Sequence, residues 1–256
     1  MKLLITALLI MFYSSMPHPA FSQSGKNTYL YHDSAWTQIK EKKAVFLVRL
    51  HNTEEGFLQY AYYKMLGPLM RIETFQDSHA KIREGLSAWY SPSGVMDSSG
   101  YYSHGLPDGL WIYLDQKARV RRFKEYDKGI LLKERVIPEK DDSIKYNPND
   151  TRLAQFPGGL GAWLRYLNKN LRYPDRAMSN EIQGEVRVHF IVDSLGQTSD
   201  LRVIRSVEMS IDDETLRMIY NSSQWIPGVI DGEKVKSYKI QPIVFKMDTE
   251  PAKRKT

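Results

Sequence analysis

The 256-residue chain contains no cysteine. Disulfides, thiolate metal sites and a lipid-bearing cysteine are thereby excluded, and the fold must rest on packing and hydrogen bonds. Long hydrophobic runs are missing too. The one sustained apolar stretch, Leu3–Tyr13, would reach only roughly 16 Å as a helix, against a bilayer core of about 30 Å. Histidine is scarce: His18, His32, His51, His79, His104 and His189 are scattered, none in an H-x-x-x-H or H-E-x-x-H arrangement, so no zinc motif is present. Ser91 to Gly94 reads as a turn and not as a nucleophile elbow. Asp212, Asp213 and Glu214 stand at the start of an expected helix, where the positive end of the dipole accounts for them without a cation. No catalytic, cofactor or metal residues are assigned, and the chain is not expected to be an enzyme. Basic charge is not concentrated either: the excess of +6 is spread along the chain, with the one basic cluster in the tail, residues 249–256. A nucleic-acid partner is therefore not expected.

What is present begins with an export signal. Residues 1–22 carry Lys2, the apolar run, and small residues Ala20 and Ser22 around Phe21, the pattern of a cleaved leader. The expectation is a periplasmic or otherwise exported protein without a stable membrane span after cleavage. Residues 23–136 read as β-rich, with a strand in Ala44–Leu50. Residues 85–105 lie over 109–129 without a gap: each unit starts Gly-Leu (Gly85, Gly109), places an aromatic four residues on (Trp89, Tyr113) and a tyrosine seventeen on (Tyr102, Tyr126), and closes on Gly105 or Gly129. A β-hairpin per unit fits, with glycines supplying turn conformations and aromatics packing on one pleated face. A weaker copy starts at Gly56, with Tyr60 at the aromatic position. These units, over about 56–136, resemble MORN-like repeats, for which "YYSHGLPDGLWIYLD" at Tyr101–Asp115 is the best match. Residues 137–151, polar and carrying Pro138 and Pro148, read as a linker.

From Gly158 the pattern changes. Leu160, Trp163, Leu164, Leu167 and Leu171 form a helical stripe, ended by Tyr173-Pro174 because the residue before proline leaves the helical region. Val186, Val188 and Phe190 alternate with Glu185, Arg187 and His189; after "DSLGQ" a second strand returns through Leu201 and Val203. Ser210 and Asp213 resemble a capping box ahead of Leu216, Ile219 and Tyr220. A loop pinned by a buried Trp225 leads to a last strand through Tyr238, Ile240 and Val244, and Pro242 within it marks that strand as an edge. The expected order is α-β-β-α-β.

"FPGGLGAWLRYLNKNLRYP", "IQGEVRVHFIVDSLGQ", "DDETLRMI", "WIPG" and "SYKIQPIVF", in this order and spacing, resemble the C-terminal domain of the TonB energy-transducer family in its Bacteroidetes form, over residues 152–248. The resemblance implies an α+β fold, a three-stranded antiparallel sheet packed on helices, here preceded by the mostly β repeat domain. It also implies a partner: an extended peptide, the TonB box of an outer-membrane TonB-dependent transporter, joining the free sheet edge. Carried over by motif, the candidate contacts are Leu171, Arg172 and Tyr173, with Tyr238, Lys239, Ile240, Gln241 and Ile243 of the last strand. The family's uncleaved membrane helix and long proline-rich rod have no counterpart here, which puts energy transduction in doubt. The alternative is a structural envelope module binding a glycan or another exported protein through its repeat domain.

Overall fold

Short runs in which apolar and polar residues alternate cannot bury a helical stripe, and they pair instead as strands. In the computed structural model, β1 (Asn27–His32), β2 (Phe46–Thr53), β3 (Gly56–Tyr62), β4 (Leu69–Phe75), β5 (Arg83–Tyr90), β6 (Met96–Ser103), β7 (Leu106–Asp115), β8 (Val120–Asp127) and β9 (Ile130–Pro138) form a nine-stranded sheet. Each strand pairs antiparallel with the next in sequence. Residues 27–53, 56–77, 79, 81–115, 117–138, 151, 152, 154–222, 224–230 and 232–247 are described. The expected leader, most of the expected linker and the basic tail fall outside them.

The repeat is a hairpin per unit. Gly85 stands opposite Tyr102 and Gly109 opposite Tyr126, both glycines in the left-handed region at φ 92° and 66°. The rings gather on one face around Trp111, which lies on Gly100: a Cβ there would stand 2.1 Å from the indole. Tyr102 at 5.0 Å, Trp89 at 5.9 Å, Tyr113 at 6.0 Å and Tyr126 at 6.4 Å surround Trp111.

The second half comprises β10 (Thr151–Arg152), α1 (Gly159–Asn170), α2 (Asp175–Ser179), β11 (Gly184–Val192), β12 (Thr198–Arg205), α3 (Met209–Tyr220), β13 (Gly228–Ile230), β14 (Glu233–Val235) and β15 (Ser237–Phe245). The molecule is α+β, with a three-stranded antiparallel sheet in the order β12-β11-β15. The expected α-β-β-α-β order is enlarged in two places. Pro174 starts α2, a helix too short for a periodic stripe, and β10, β13 and β14 make a small third sheet.

Three local expectations are corrected. In α1, Trp163 is buried at 3% exposure while Leu160 is 72% and Leu164 49% exposed. The buried face is turned toward an aromatic cluster in which Trp163 meets Phe156 at 5.2 Å and Trp225 at 5.7 Å, and Tyr166 donates to the Met218 carbonyl at 2.9 Å. The cap of α3 is Glu208, which accepts from the Ser210 N–H at 2.7 Å; Ser210 already lies inside the helix. Tyr220 is exposed, whereas Leu216 and Ile219 are buried as expected. Trp225 is buried, donating its Nε1 to Ser222 Oγ at 2.9 Å.

α3 lies against β11 and β12, and its Asp213 reaches the nine-stranded sheet. There Arg49 of β2 grips Asp213 through both terminal guanidinium nitrogens. The Leu69 N–H donates to Ser206 Oγ at 2.8 Å, and the Tyr90 hydroxyl to the Val203 carbonyl at 2.8 Å. Arg202 donates to the Tyr101 hydroxyl at 2.9 Å and to Ser99 Oγ at 3.2 Å.

Candidate functional site

A three-stranded sheet has two edges, and its central strand is read from burial. Val186, Val188, Phe190 and Val192 of β11 are fully buried. The edge at β12 is met by the nine-stranded sheet: Val95 bridges to Arg205, and the Ser206 N–H donates to the Gly94 carbonyl at 2.8 Å. Gly94 holds φ 80°, and a Cβ there would stand 2.2 Å from the Ser206 carbonyl oxygen, so only glycine permits this approach. The opposite edge, β15, pairs with β11 alone among the described residues. The register runs without a bulge from Gly184 opposite Phe245 to Val192 opposite Ser237.

Pro242 faces Arg187 in that register. In an antiparallel pair the backbone groups of successive residues point alternately to the partner strand and away from it, and a proline fits without losing a ladder bond only where its nitrogen points away. The outward set is therefore Tyr238, Ile240, Pro242 and Val244. The Pro242 carbonyl agrees with this placement, since it accepts from Gln241 Nε2 at 3.3 Å.

Side chains divide by the same alternation. Tyr238, Ile240 and Val244 stand in solvent at 65%, 46% and 59% exposure, while Ile243 and Phe245 are in the core. Beside the exposed row, the His189 ring stacks with Tyr238 at 5.6 Å. Burial, with help from Arg202, lowers the His189 pKa. Lys239 turns inward, its ammonium 5.6 Å from the centre of the Trp225 ring, and burial lowers its pKa.

The sequence-based candidates thus have different roles. Tyr238 and Ile240 present both outward backbone and exposed side chains. Lys239 and Gln241 contribute ladder backbone, and Ile243 is a core residue whose side chain is not open to a partner. Leu171 packs partly against the core at the end of α1, and Arg172 is exposed, its N–H donating to Glu214 Oε1 at 2.7 Å. Tyr173 donates to the Ile182 carbonyl at 2.5 Å and meets Phe245 edge-on at 5.6 Å, which places this segment beside the far end of β15. Val244 was not among the candidates, although the alternation through Tyr238, Ile240 and Pro242 leads to it. His189 and Ile191, the cross-strand neighbours of Ile240 and Tyr238, could be found only once the register was known.

Among the described residues, no three His, Asp or Glu side chains are grouped to hold a metal, and no helix is long and apolar enough to cross a membrane. Residues 169–247 match the family model described as Gram-negative bacterial TonB protein C-terminal. The match begins near the end of α1 and closes just after β15, so it includes both candidate segments and leaves out the nine-stranded sheet. No curated protein and no solved structure matches the chain.

Proposed function

We propose that this is an exported envelope protein whose TonB-like domain binds an extended segment of an outer-membrane transporter by adding it as a strand to β15. The observation that carries this is the β15 edge inside the segment matched by the TonB family, unpaired among the described residues, while the β12 edge of the same sheet is met by the nine-stranded sheet at its Arg205 end. Backbone groups supply affinity in such an addition and alternate side chains supply selectivity. The protein has no catalytic role in this account.

The same account gives the chain no part in transmitting proton-motive force. A nine-stranded sheet stands where a transducer has its rod, and the residues between β9 and β10, 139–150, would span at most about 40 Å if fully extended.

Binding is tested with synthetic peptides covering the N-terminal periplasmic segments of outer-membrane transporters. Ile240→Pro removes an outward donor and leaves the ladder to β11 whole, so it should weaken binding at least tenfold, whereas side-chain changes at Lys239 should act modestly. Equal affinity of Ile240→Pro and the parent would refute strand addition. The second part is tested by transporter-dependent uptake in a strain lacking its own transducer: no rescue is expected, and rescue would overturn it.

A further inference from the structure

Among the described residues the β15 edge has no second partner strand, but it is not uniform. On its outward side, Tyr238, Ile240 and Val244 offer N–H donors, and a fourth donor is missing because position 242 is proline. The acceptor at the same place is engaged: the Pro242 carbonyl takes the Gln241 side-chain amide at 3.3 Å. At one position the donor is thus missing by covalent structure and the acceptor is already shared with a neighbour's side chain. A strand laid along β15 would meet matched donors and acceptors at Tyr238 and Ile240, then a gap, then Val244 alone before the strand ends at Phe245.

The side chains point to the same segment. Tyr238 lies opposite Ile191 and Ile240 opposite His189, with the His189 and Tyr238 rings stacked. Exposed apolar surface and open backbone therefore coincide at Tyr238–Ile240. Farther along, Pro242 and Val244 lie opposite Arg187 and Glu185, which are ion-paired to each other at 2.6 Å, so the exposed face one strand in from the edge turns from apolar to charged.

We infer that Pro242 and Gln241 end the usable edge, so that the partner strand pairs with Tyr238 and Ile240, sets an apolar side chain against the exposed Tyr238 and Ile240 side chains, and stops before Val244. This rests on strand addition at β15, and it assigns Gln241 a blocking role in place of a contact role. The partner is accordingly a short extended segment with an apolar residue at its centre.

Amide hydrogen exchange on the full chain tests it, with the transporter peptides named above as the probe at saturating concentration. The Tyr238 and Ile240 amides should slow on binding, and the Val244 amide should not. Pro242→Ala restores a donor; the new amide and that of Val244 should then slow as well, and affinity should rise roughly three- to tenfold for the one or two bonds gained. Gln241→Ala frees the carbonyl without touching the proline, and should give a smaller gain with the same spread toward Val244. Protection of Val244 in the parent, or no spread in either variant, would overturn the stop at Pro242 while leaving strand addition standing. If no amide between 236 and 245 slows in the parent, strand addition itself fails and the stop falls with it.

Discussion

Asp212 is fully buried at the start of α3, where its carboxyl accepts from Ser206 Oγ and from the Val207 N–H at 3.0 Å. Burial outweighs both bonds, and the nearby Asp213 and Glu208 carboxylates add to it, so the pKa is pushed up from 3.8 to about 8. Because the folded value lies above the unfolded one for an acid, the neutral form is favoured in the fold. Stability is lost as pH rises from about 4 to about 8, and is constant outside that window. Asp212→Asn keeps an oxygen for the Val207 N–H and cannot ionise. Urea midpoints of parent and variant should therefore diverge across that range, the variant being the more stable at pH 8; parallel pH profiles would contradict the placement. Beside it, the Arg49 side chain is 8% exposed and that of Asp213 36%. Asp213→Ala strands a buried cation and should cost about 3 kcal/mol, more than Arg49→Ala, as denaturant unfolding would measure. The sequence offered the helix dipole for these carboxylates. It gave no sign of Arg49, because a partner 164 residues away leaves no local pattern.

At the scale of elements, alternation located β11, β12 and β15 and Pro242 identified the edge, because both signals come from neighbouring residues, whereas the short β10, β13 and β14 were not foreseen. The helical stripe in α1 was read less well. Leucine spacing favoured Leu160 and Leu164, but the direction the helix faces is set by Phe156, Trp225 and Phe190, with Trp225 5.1 Å from Phe190, and only Phe156 is local to the helix. Trp163→Ala should accordingly cost roughly 3 to 5 kcal/mol, while Leu160→Gln should stay within about 0.5 kcal/mol. Thermal or denaturant unfolding would show the contrast, and a larger loss at Leu160 would mean that α1 packs through the other face. Trp111 was missed for a related reason. The aligned repeat marked Trp89 and Tyr113, whereas the centre of the ring cluster occurs in one unit only, over Gly100 of the preceding strand.

The two halves of the molecule meet through a shared core and through bonds to β12, to Ser206 just after it and to Asp213 of α3. Residues 152–248 are proposed to fold alone, since the three-stranded sheet and its helices bury their own apolar face. Separated from the nine-stranded sheet, they would lose the partners of Asp213, Ser206 and Val203 and uncover the β12 edge. The fragment should unfold cooperatively at lower denaturant than the full chain, and a disordered fragment would show that the sheet is required for folding. The docking meets the TonB-like sheet at the Arg205 end of β12 and, among the described residues, leaves β15 without a further partner; the central claim is that the β15 edge is where the partner binds. Its most direct test is a titration of the labelled full chain with transporter N-terminal peptides, followed by backbone amide shifts: saturable shifts concentrated in residues 236–245, largest at Tyr238 and Ile240, are predicted, and unmoved signals there at millimolar peptide would contradict it.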